Sequence, residues 1–178
     1  MRAKTVNTQA YCFDFDETIV QTDAKIHIVK NGKRIKSLDS NEHKLHKLKK
    51  GESEDYSDLA DPRILMKGRK YKMWPELERI SNLKKMGDDI GLYIITARSE
   101  KSKFPIFNFL KREKILIDLN HVITVGNDDG IHINTAVLKK DVLEDIKKDY
   151  DEIFFFDDYE ENIKQANKIS GIKTRLIE

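Results

Sequence analysis

From residue 74 onward the chain alternates between short apolar runs and longer stretches whose apolar residues recur every three or four positions. Residues 73–87, "MWPELERISNLKKMG", space Leu77, Ile80 and Leu83 as a helix does, with Pro75 near the start and Gly87 at the end. Residues 90–96, "IGLYIIT", form a short apolar, β-rich run that predicts a buried strand. The rhythm then repeats. A helix is expected over 102–113, with Phe104, Phe107 and Leu110 on one face, and a strand over 121–125. A helix over 133–150 carries Leu138, Val142, Leu143 and Ile146, with Asn134 or Thr135 as its cap. A strand over 152–156, a helix over 160–169, a stop at Gly171 and a last strand over 173–177 complete the series.

Adding "AYCFDF" at 10–15 makes five strands, which alternate with helices from the second onward. That pattern predicts an α/β fold: a Rossmann-like parallel sheet covered by helices on both faces. Numbered along the chain, its expected order is 5-4-1-2-3, because only then do the polar ends of the first and fourth strands become neighbours. Residues 21–73 break the rhythm. They contain a hairpin over 24–38 around Asn31-Gly32, a short helix over 39–51 opened by Asp39 or Ser40, and a loop over 52–65. The expected organisation is a core of residues 1–20 and 74–178, with 21–73 as a small flap or cap insert.

Charge sharpens this division. The net charge is +2, but residues 21–73 hold fourteen Lys/Arg against eight Asp/Glu, while the remainder holds nineteen against twenty-three. A basic insert on an acidic core suits an anionic substrate, and Lys33, Arg34 and Lys36 are the expected contacts. The 39% apolar and 36% charged composition predicts a soluble globular protein. No apolar run is long enough for a membrane span, and the opening "MRAKTVNTQA" lacks the apolar segment of a signal peptide. With Cys12 as the only cysteine, a cytoplasmic setting is expected and a thiolate zinc site is not.

The chemistry gathers at strand ends. The first strand runs into Asp14, Asp16 and Thr18, the second into Thr96 and Arg98, and the fourth into Asp157 and Asp158. In a parallel sheet these converge on one edge, where ligands bind. Carboxylates massed there repel one another unless a cation intervenes, and oxygen ligands without thiolates select Mg2+.

"DFDET" at 14–18, "IITAR" at 94–98, Lys139 and "FFFDDYEEN" at 154–162 together resemble, in order, the four motifs of the haloacid dehalogenase superfamily. The likeness extends to small phage-encoded members and to the phosphatase half of polynucleotide kinase-phosphatases. It covers the core and leaves 21–73 unexplained. It implies Mg2+-dependent hydrolysis of a phosphomonoester through an aspartyl-phosphate. Asp14 would be the nucleophile and Asp16 the acid and base. Thr96 would donate to the transferring phosphoryl group, and Thr18 and Arg98 would contact substrate. Lys139, with Lys140 as the alternative, would be the motif lysine. Asp14, the Asp16 carbonyl and Asp158 or Asp157 would hold Mg2+, with Asn162 orienting them. The partner implied is a phosphorylated substrate, with a nucleotide or nucleic-acid end among the candidates; no membrane and no obligate protein partner is expected. The competing reading is a decayed hydrolase scaffold that only binds.

Overall fold

The computed structural model describes residues 8–127 and 134–178. The first seven residues, on which the signal-peptide expectation rests, and Ile133, the expected start of the third core helix, lie outside them.

Strand β1 (Gln9–Phe13) opens the chain. The insert follows as β2 (Val20–Gln21), β3 (Ile26–Lys30), β4 (Lys33–Leu38), α1 (Ser40–Leu45), β5 (Glu52–Asp55), α2 (Ser57–Ala60), α3 (Pro62–Leu65) and β6 (Arg69–Lys70). The alternating half comprises α4 (Trp74–Lys85), β7 (Ile90–Ser99), α5 (Lys103–Arg112), β8 (Val122–Gly126), α6 (Thr135–Ile146), β9 (Glu152–Asp157), α7 (Glu160–Ala166) and β10 (Ile172–Leu176). None of the helices described is long and apolar enough to cross a membrane.

The main sheet is five-stranded, ordered β10-β9-β1-β7-β8, and every neighbouring pair is parallel. Counting these five alone along the chain, the order reads fifth-fourth-first-second-third. Side chains alternate across the sheet. Phe13 and Phe15 therefore join Leu77, Ile80 and Phe109 in the layer under α4 and α5, while Ala10 and Cys12 join Leu143, Ile146 and Ala166 under α6 and α7. The sheet is covered on both faces and is Rossmann-like.

Two helix faces differ from the expected ones. On α5 the buried stripe is Ile106, Phe109 and Leu110, and Phe104 is 60% exposed. The four apolar residues around Asn108, between Pro105 and Lys111, offer two overlapping stripes, and contact with Phe15 and Trp74 selects the one with Phe109. On α6 the buried stripe is Ala136, Lys139, Leu143 and Ile146, so a lysine occupies a core position. Asn134 is its N-cap, accepting from the Val137 amide at 3.3 Å.

The insert is more ordered than its sequence suggested. The hairpin is present, with Asn31 and Gly32 both at positive φ, 50° and 73°, as a two-residue turn needs. Residues 52–65, expected as loop, instead supply β5, α2 and α3. Glu52–Asp55 has little β propensity, but β3 pairs with it antiparallel from Lys30↔Glu52 to His27↔Asp55, and tertiary pairing overrides propensity. The expected helix over 39–51 stops at Leu45, although Asp39 and Glu42 close a full capping box at its start. The β2–β6 ribbon, with Val20 opposite Lys70, joins the two ends of the insert beside the core.

Candidate active site

Asp14 follows the last residue of the central strand, its amide still donating to the Phe156 carbonyl of β9 at 2.8 Å. It sits at the carboxyl edge of the sheet. The chain then turns sharply: the amides of Ile19 and Val20 both donate to the Phe15 carbonyl, and Glu17 adopts φ +54°. That left-handed conformation costs a side-chain-bearing residue about 1–2 kcal/mol, the kind of strain that gathers at functional sites.

Asp14, Asp157 and Asp158 each offer an oxygen within 4.8 Å of the others'. Lys139 reaches into this cluster from the buried face of α6, its Nζ 2.5 Å from Asp14 Oδ1 and 2.8 Å from Asp157 Oδ2. Lys140, by contrast, pairs with Glu144 on the outer side of the helix. Burial holds the Asp14 carboxyl well above the usual carboxylate range; Lys139 works against that, and the Asp157, Asp158 and Asp16 carboxylates add to it. Burial alone would lower the Lys139 ammonium, but Asp14 and Asp157 outweigh it and raise it. Asp157 is fully buried and fixed: the Asn162 amide donates to both its oxygens at 2.9 Å, as does the Tyr159 backbone amide to Oδ1 at 2.9 Å. Asp158, next along, faces the cavity.

Asp16 stands apart from this cluster. Its carboxylate lies in the fork of Arg98, Nε to Oδ2 at 2.8 Å and Nη2 to Oδ1 at 2.6 Å. Arg98 was expected in the loop after the second core strand. Instead β7 runs on to Ser99, and the guanidinium is 2% exposed. The same guanidinium donates to the Leu59 carbonyl of α2, which also accepts from Ser102 at 3.2 Å. The core thus grips the insert at Leu59. Thr96 is buried at the cavity wall, its Oγ1 accepting from the Arg98 amide at 3.2 Å. Thr18 is buried and outside the cavity lining, its carbonyl accepting from the Met73 amide. It belongs to the turn after Asp14.

No protein-family model matches the chain, and no curated protein matches it. Among solved structures it is similar to one described as the structure of DsGPDH of Dunaliella salina, with TM-score 0.49 and 16% identity over 91% of this chain. The chain spans only 22% of that structure's length, a likeness too slight to bear on fold or activity.

The cavity holds about 580 Å³, within the usual range for small-molecule sites. Its floor is Asp14, Lys139 and Asp158, and one wall is the insert. Lys33, Arg34 and Lys36, the expected anion contacts, are not among its lining residues; they lie exposed on β4, where Arg34 pairs with Asp55. The insert contributes instead Ile26, His43, Glu54, Tyr56 and Leu59. None of these was marked by a motif, and Glu54 takes its place through the β3–β5 pairing. Gly126, at the end of β8, also lines the cavity, and a Cβ there would fall 2.0 Å from the Ala97 carbonyl oxygen. An isolated glycine ending a strand is the one signal that marked such a close approach.

Proposed function

We propose that this chain is a Mg2+-dependent phosphohydrolase of the haloacid dehalogenase superfamily, cleaving a phosphomonoester through an aspartyl-phosphate. The observation that carries the reading is the Asp14–Asp157–Asp158 cluster at the carboxyl edge of the sheet, with Asp14 and Asp157 buried and bridged by a buried lysine.

The donor set fits a hard divalent cation. It offers carboxylate oxygens only, with Asn162 Oδ1 buried nearby and without a hydrogen-bond partner among the described residues. Asp14, the Asp16 carbonyl and Asp158 would hold Mg2+, with Asp157 behind them. When bound, it supplies positive charge that offsets repulsion between carboxylate and phosphate.

In this reading an Asp14 oxygen attacks phosphorus, and the bond to the leaving oxygen breaks. Asp16, entering that step protonated, gives its proton to the leaving alcohol. Asp16 then takes a proton from water, whose oxygen attacks phosphorus and breaks the bond to Asp14. The sum is ester plus water to alcohol plus inorganic phosphate. Lys139 opposes the rise that burial imposes on Asp14 and aims its carboxylate, and Thr96 would donate to the phosphoryl oxygens. Arg98 holds and orients Asp16 through both carboxylate oxygens. The chemistry suits a cytoplasmic protein with one buried thiol.

Turnover of p-nitrophenyl phosphate tests the reading. It should require Mg2+ and stop with EDTA. A folded protein with no turnover at any divalent-metal concentration would instead support a binding protein on a decayed scaffold.

A further inference from the structure

The insert wall of the cavity is itself a built polar group. His43 Nε2 lies 2.7 Å from Glu54 Oε1, and the Tyr56 hydroxyl donates to Glu54 Oε2 at 2.5 Å. The Tyr56 and His43 rings meet edge to face at 6.0 Å. Each of the three side chains is thus held by the other two, on α1, β5 and the residue after β5. Burial, then Glu54, pushes the Tyr56 hydroxyl above its ordinary pKa, so it stays protonated. With the Tyr56 hydroxyl donating to Glu54, the phenolic oxygen keeps lone pairs that can accept, and in the neutral imidazole with Nε2 donating to Glu54 so does Nδ1. Such a wall accepts hydrogen bonds from hydroxyl or amino groups.

Charge around the cavity points the same way. Its lining holds the carboxylates of Asp14, Asp16, Glu17, Glu54 and Asp158 against two permanent cations, Arg98 and Lys139. Both cations are occupied, Arg98 by Asp16 and Lys139 by Asp14 and Asp157. Protonated His43 would still face Glu54. A divalent cation on the acidic cluster would answer one phosphoryl group, and among the described lining residues neither Arg98 nor Lys139 is left over for a second. Ile26, Leu48 and Leu59 add apolar surface between the polar groups.

We propose, building on the phosphatase reading, that the cavity accepts a phosphomonoester whose leaving group is uncharged, rich in hydrogen-bond donors and partly apolar. A nucleoside or a comparable ring-bearing polyol has that chemistry. The His43–Glu54–Tyr56 wall is the specificity element, and it selects against a second phosphate. The contrary case is a polyanion lying outside the cavity on Lys47, Lys49 and Lys50. These are exposed, flank the lining residues His46 and Leu48 in the chain, and make no ion pair among the described residues.

The test compares a nucleoside 5′-monophosphate, the matching 3′,5′-bisphosphate and a 3′-phosphorylated oligonucleotide, each with Mg2+. Steady-state kinetics and calorimetric binding to the Mg2+-loaded protein are read in parallel. The monophosphate should be preferred over the bisphosphate by about tenfold or more, with the difference in KM and in Kd rather than in kcat. Glu54→Gln should narrow that ratio because it removes a negative charge from the wall. Tyr56→Phe, which keeps the ring, should weaken monophosphate binding and leave bisphosphate binding unchanged. Equal or tighter binding of the bisphosphate or the oligonucleotide overturns the proposal, and so does an unchanged ratio in a Glu54→Gln protein with native circular dichroism. Tight, selective monophosphate binding with no turnover of any ester would retain this proposal while sinking the phosphatase reading.

Discussion

Replacing Lys139 by Met removes one ammonium from between two buried carboxylates while keeping most of the side chain's length. The lysine is 2% exposed, Asp14 7% and Asp157 0%, with separations of 2.5 and 2.8 Å. Leaving a buried charge without its partner costs about 3–5 kcal/mol. Asp157 retains its bonds from Asn162 and Tyr159, so most of the cost falls on Asp14. For a chain of this size each kcal/mol moves the melting temperature by about 2–4 °C, so the expected fall in metal-free buffer near neutral pH is about 6–20 °C. The loss should depend on pH. Burial raises the Asp14 pKa and Lys139 opposes it, so without Lys139 the carboxyl rises further. A group whose folded pKa lies above its unfolded one contributes stability that is full below the unfolded value and is lost as pH rises through the folded value. The gap between wild type and variant should therefore be widest on the alkaline side, where folded Asp14 is ionised, and close as pH falls through its raised folded value. Added Mg2+ should recover part of the loss, and more in the variant than in wild type. Thermal unfolding followed by circular dichroism across this range, with EDTA and with Mg2+, measures all three effects. A fall under about 1 kcal/mol, or one that responds to neither pH nor Mg2+, would refute the placing of Lys139 as counter-ion to Asp14.

Two other substitutions probe the site independently. Asp16→Asn should bind substrate and slow the second step more than the first, seen as a burst of alcohol release followed by a low steady rate; steady turnover at the wild-type rate would remove Asp16 from the proton path. Gly126→Ala would set a methyl 2.0 Å from the Ala97 carbonyl, so β8 must shift from β7 beside Arg98; a stability loss of about 1–3 kcal/mol in urea unfolding is expected, and no loss would mean that the two strands are not this close.

The core was readable because its elements carry a period. α4 repeats its apolar residues at helical spacing, β7 and β9 are short continuous apolar runs between such stretches, and a parallel sheet brings the strand ends to one edge regardless of loop detail. Asp14, Thr96, Asp157 and Asp158 could be gathered on that basis alone. Lys139 was harder, since its position is fixed by which face of α6 is buried, and Lys140 beside it has the same chemistry. The Asp16–Arg98 fork was not visible: it spans 82 residues and depends on β7 running three residues beyond Thr96. The insert hid most. "ESED" has no strand pattern and becomes β5 only because β3 lies ready to pair with it, and the wall of His43, Glu54 and Tyr56 exists only once that pairing forms. In α3, Asp61 before Pro62 was a legible start signal, with the Asp61 carboxylate accepting from the Arg63 amide at 2.8 Å.

The central claim is that Asp14 carries the phosphoryl group. The most direct measurement is peptide mass analysis of acid-quenched Asp16→Asn protein after mixing with p-nitrophenyl phosphate and Mg2+, with Asp14→Asn/Asp16→Asn protein in parallel. The account predicts that the peptide containing residues 12–20 gains one phosphoryl group, lost on base treatment, and that the double variant gains none while keeping a native circular dichroism spectrum. Phosphoryl transfer to another residue, or wild-type turnover by Asp14→Asn alone, would contradict it.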